Sequence, residues 1–108
     1  MSDLIADLVR DRDLMKRASE ELKRRGVALA KAEAEYQTAK AAAALSLKAD
    51  GYSATMIAMT LKGDERVSVP MFARDCAQVE YDSAREALNV YKLDARLLEA
   101  QIDREYRG

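Results

Sequence analysis

The chain has 108 residues, of which 34% are charged and 6% aromatic, with 1 Pro and 4 Gly. A single domain spanning 1–108 fits that length, and a composition led by Ala, Leu, Lys, Arg and Glu excludes a large compact core and favours long helices. Its 18 basic and 19 acidic residues leave a net charge of −1, which excludes a general polyanion binder.

In chain order, Ser2 or Asp3 can cap a first helix expected over about 3–48. Its seam positions step by three and four in alternation: Leu4, Leu8, Asp11, Met15, Ala18, Leu22, Arg25, Leu29, Ala32, Tyr36, Ala39, Ala43 and Ser46. A sustained 3.5-residue period is a coiled-coil seam. Asp11 and Arg25 are charged seam positions, expected either to open the seam or to meet a counter-charge from a neighbouring helix. Gly51 is the expected left-handed residue after this helix.

Ser53 then caps a short connector helix over about 53–62, ended by Gly63. Residues 64–69 read as an extended loop. Pro70 suits the first turn of a second long helix over about 70–106, where its missing N–H costs nothing. The seam of that helix is Ala77, Tyr81, Ala84, Leu88, Tyr91, Ala95, Leu98, Ile102 and Glu105. A second apolar row, Phe72, Cys76, Val79, Ala87, Val90 and Leu97, runs beside it. The fold expected is therefore all-α, an antiparallel two-helix hairpin. A stripe this wide asks for more than one neighbour, so a homo-dimer or higher coiled-coil or bundle oligomer is expected. Met56, Ile57, Met59, Leu61, Phe72, Val79, Val90 and Leu97 are the candidate oligomer or partner interface.

Little here points to catalysis. With no His, the commonest general base and metal ligand is missing. The single Cys76 has no partner for a disulfide or a zinc site and is expected as a small buried helix residue. The acidic residues do not reproduce the paired carboxylates of helical nucleotide pyrophosphohydrolases. No enzyme activity and no cofactor are expected. Arg17, Lys23, Arg24 and Arg25 form the basic part of a mixed-charge face and, with Asn89 and Lys92, are candidates for polar or weak nucleic-acid contact. The segment 51–66 has a helix-turn-helix cadence, but Pro70 stands where a recognition helix should begin. The charged first residues and the lack of a long apolar run predict a cytoplasmic protein without membrane contact.

The stretch from Lys62-Gly63-Asp64 through Val67, Arg74-Asp75, Tyr81, Ala87, Asn89 and Lys92 to Leu98-Glu99-Ala100-Gln101-Ile102 resembles small proteins encoded by bacteriophages and prophages. The resemblance covers residues 62–106. It implies a phage-type helical protein in the host cytoplasm, acting on a protein partner near replication and recombination functions. Two other roles stay open: an inhibitor that sequesters a host defence or regulatory factor, and a DNA-binding regulator through residues 51–66.

Overall fold

The computed structural model describes residues 2–107 and is all-helical among them: α1 is Ser2–Ala49, α2 is Ala54–Leu61 and α3 is Glu65–Arg107. Of the two expected caps on α1, the Ser2 side chain lies outside the described residues. The hairpin expected from the heptads is the observed fold. Its residues form two compact units, one built from 1–25 with 81–108 and one from 26–80. Within each unit the α1 and α3 segments run antiparallel.

The turn after α1 closes as the sequence predicts. Gly51 has φ +90, a value that residues with a Cβ rarely adopt. Its N–H donates to the Lys48 carbonyl at 3.0 Å, and the Tyr52 N–H donates to the Leu47 carbonyl at 3.1 Å. These two bonds make a Schellman motif, which satisfies carbonyls that the end of α1 would otherwise leave open. Ser53 caps α2: its Oγ accepts from the Met56 N–H at 3.3 Å.

The start of α3 differs from the expectation. Residues 65–69 are helical, and Pro70 lies inside the helix. Asp64 is the reason. Its carboxylate accepts from the Arg66 N–H at 2.9 Å, and its carbonyl accepts from Ser68 N–H at 2.9 Å, so the first helical donors are already satisfied before Pro70 is reached. The Arg66 guanidinium also binds the Asp64 carboxylate at 2.6 Å, fixing the cap. Val67, which becomes helical as a result, is one of the buried apolar residues.

Unit 26–80 is centred on Ala43, Leu47 and Val67, all buried. Arg74 of α3 bridges Glu33 of α1 at 3.3 Å and lies over the Tyr36 ring, 4.5 Å from its centroid. Unit 1–25 with 81–108 is centred on Leu88 and Ala95, and Arg12 meets Glu99 across the two helices at 3.6 Å.

Every predicted seam position of α1 is buried or half-buried, and so is every one of α3 except Glu105. The two charged seam positions have acidic neighbours of different origin. Arg25 is held by Glu21 of its own helix at 2.7 Å. Asp11, only 7% exposed, faces another acid, Asp94.

Candidate functional site

Three features are chemically distinctive. The first is the acid pair. The Asp11 Oδ2 is buried without a hydrogen-bond partner. Two carboxylates can hydrogen-bond only if one carries a proton, so the contact with Asp94, joined by desolvation, raises the Asp11 pKa above the ordinary carboxylate range. Arg10 opposes that rise weakly. Among the described residues no group of three or more His, Cys, Asp or Glu side chains is placed to hold a metal ion.

The second is a hollow of about 360 Å³ under the connector, lined by Tyr36, Lys40, Ala58, Leu61, Lys62, Val67, Ser68 and Met71. Its walls are mainly apolar, and Lys40 and Lys62 are the charged residues among them. Nearby charges are held by paired groups. The Gln37 amide, followed by Arg74, holds Glu33 below its usual range, and Arg66 does the same for Asp64.

The third is the outer side of α3. Phe72 is 69% exposed, Val79 64%, Val90 59% and Leu97 60%. Val69 and Leu93 are also exposed and continue the row. Neither is in the row predicted from sequence. Val69 is absent because the stretch before Pro70 reads as extended, and Leu93 because it is hidden between polar neighbours. Cys76 corrects the expectation of burial: it is exposed and belongs to this row. The reason is geometric, since α1 covers the Ala77–Tyr81 side of α3 and leaves position 76 outside. Phe72, Cys76 and Val79, with Asp75 and Glu80, line a shallow apolar depression.

The other predicted interface residues divide. Met56 and Met59 are exposed, whereas Ile57 and Leu61 are half-buried, Leu61 against the hollow. The basic candidates do not form a free cationic stripe. Arg17 pairs with Asp13 at 3.0 Å, and Arg24 and Arg25 both bind Glu21 at 2.7 Å. Lys23, Asn89 and Lys92 are exposed. Among the described residues no helix is long and apolar enough to cross a membrane. No family model matches the chain, and no curated protein or solved structure matches it either.

Proposed function

We propose that the chain is a non-enzymatic helical interaction protein that self-assembles and serves as an accessory subunit, in the phage-type replication and recombination setting implied by residues 62–106. One observation carries the reading. Phe72, Val79, Val90 and Leu97 recur at coiled-coil spacing on α3 and stay exposed while the chain's own helices are already packed. Large apolar side chains repeated in this way mark a surface that another helix covers. Direct nucleic-acid contact is not part of the proposal, because Arg17 is paired with Asp13, and Arg24 and Arg25 with Glu21.

Light scattering over a concentration series tests it. The expected mass is a multiple of the 12.0 kDa chain. Replacing Phe72 and Val90 by Asp should return the protein to one chain with its helical circular dichroism unchanged, because both side chains are exposed. A wild-type mass of one chain at every concentration overturns the reading.

A further inference from the structure

We propose that the outer row of α3 pairs with the same row of a second copy of this chain, antiparallel and in a single register, with Ser83 and Glu86 at the centre. The inference rests on the self-assembly reading and gives it a geometry.

The row steps by three and four along α3, from Val69 through Phe72, Cys76 and Val79 to Val90, Leu93 and Leu97. Only Ser83 and Glu86 interrupt its apolar character, and both are exposed. Residue count alone then sets the register. In an antiparallel pair, layers form between alternate positions of the two repeats. One alignment matches every apolar position: Val69 with Ala100, Phe72 with Leu97, Cys76 with Leu93, and Val79 with Val90. Each layer occurs twice about a two-fold axis. Ser83 then meets Glu86 of the second copy, and its hydroxyl can donate to that carboxylate. A shift of one heptad sets Glu86 against Cys76 in one direction and against Val90 in the other, burying a charge on an apolar side chain. The polar centre therefore fixes register, as single polar layers do in coiled coils.

The flanking charges agree. On one side Asp75, whose Oδ1 its neighbour Arg74 already binds at 2.9 Å, offers its carboxylate to Arg96 of the second copy as well, and Asp82 falls beside Asn89. On the other side Ala faces acid: Ala73 beside Asp94, and Glu80 beside Ala87. No like charges meet. A parallel pair instead stacks Glu86 on Glu86 and brings Asp75 toward Glu80, so charge selects the antiparallel arrangement. Asn89 and Arg96, both exposed in the single chain, gain a role at this interface.

Cysteine cross-linking reads the geometry. In the antiparallel register the two Cys76 residues lie roughly 25 Å apart along the axis, far beyond disulfide reach. Cys76 instead sits at the layer of Leu93 from the second copy. Leu93 is 55% exposed, so Leu93→Cys spares the chain's own packing. Under mild oxidation, Leu93→Cys should give a covalent dimer whose peptide map joins position 76 of one copy to position 93 of the other. The wild-type protein should give none. Arg96→Asp should weaken association by roughly tenfold, and adding Asp75→Arg should restore it. An oligomer in which wild-type Cys76 cross-links to itself, or in which Leu93→Cys gives no link, overturns the register and leaves self-assembly standing. A single-chain mass in light scattering overturns both.

Discussion

The two units use the same heptad seam and each has an opposite-charge contact across it, Arg74 with Glu33 and Arg12 with Glu99, but only one of them also sets acid against acid. In unit 26–80 the helices are joined by a capped turn and a connector, and the contact between α1 and α3 is of opposite charge, Arg74 with Glu33, over the Tyr36 ring. In unit 1–25 with 81–108 a buried acid, Asp11, faces a second acid, Asp94. Glu33 and Asp64 are pushed down in the first unit, and Asp11 is pushed up in the second. Apolar spacing builds both interfaces, but it does not dictate whether the polar residues inside them help or oppose folding.

The largest expected effect separates the two cores. Leu47→Ala and Leu88→Ala each remove a buried side chain, at a cost of about 2–5 kcal/mol. Amide hydrogen exchange should show Leu47→Ala loosening residues 26–80 first, and Leu88→Ala loosening 1–25 and 81–107 first. Equal loss of protection everywhere would mean that the units unfold as one, and the comparison would fail.

A smaller effect belongs to the turn. Gly51→Ala meets no neighbouring atom within 4 Å, so only the backbone conformation at φ +90 opposes it. The expected cost is about 1–2 kcal/mol, seen as a lower thermal midpoint and confined to protection in unit 26–80. An unchanged midpoint would show that the turn relaxes.

The pH response should split the units. Asp11 has a raised pKa when folded, so its stabilising contribution is complete below the ordinary carboxylate value and lost as pH rises through the raised one. Acidification from neutrality toward the ordinary range (about 4) should therefore strengthen the unit holding Asp11. Glu33 and Asp64 have lowered values, so their contribution is present above the ordinary range and lost as pH falls below it. Hydrogen exchange across that range should show protection rising first in 1–25 and 81–107, then falling in 26–80. Asp11→Asn should raise the thermal midpoint at neutral pH and abolish the early rise. A lower midpoint for Asp11→Asn at neutral pH would contradict the acid–acid contact.

Periodicity is local information, and the two seams it determines were legible. The spacing of Leu, Ala and Tyr placed both seams, with Glu105 alone left exposed at the frayed end of the pattern. Gly51 and Ser53 announced the turn and the cap because their chemistry acts on neighbours in sequence. Tertiary structure decided what depends on distant residues or on competition between local signals. Asp64 and Arg66 outweighed the residue-before-proline preference and carried α3 through Pro70. Asp11 acquired Asp94 as its neighbour, a pairing of residues far apart in the chain that no spacing rule reveals. The wide apolar stripe of α3 was legible as a stripe, but only packing showed which row α1 covers. That row faces inward because a single helix can cover only one side of α3, and Phe72, Cys76, Val79, Val90 and Leu97 are what remains on the other.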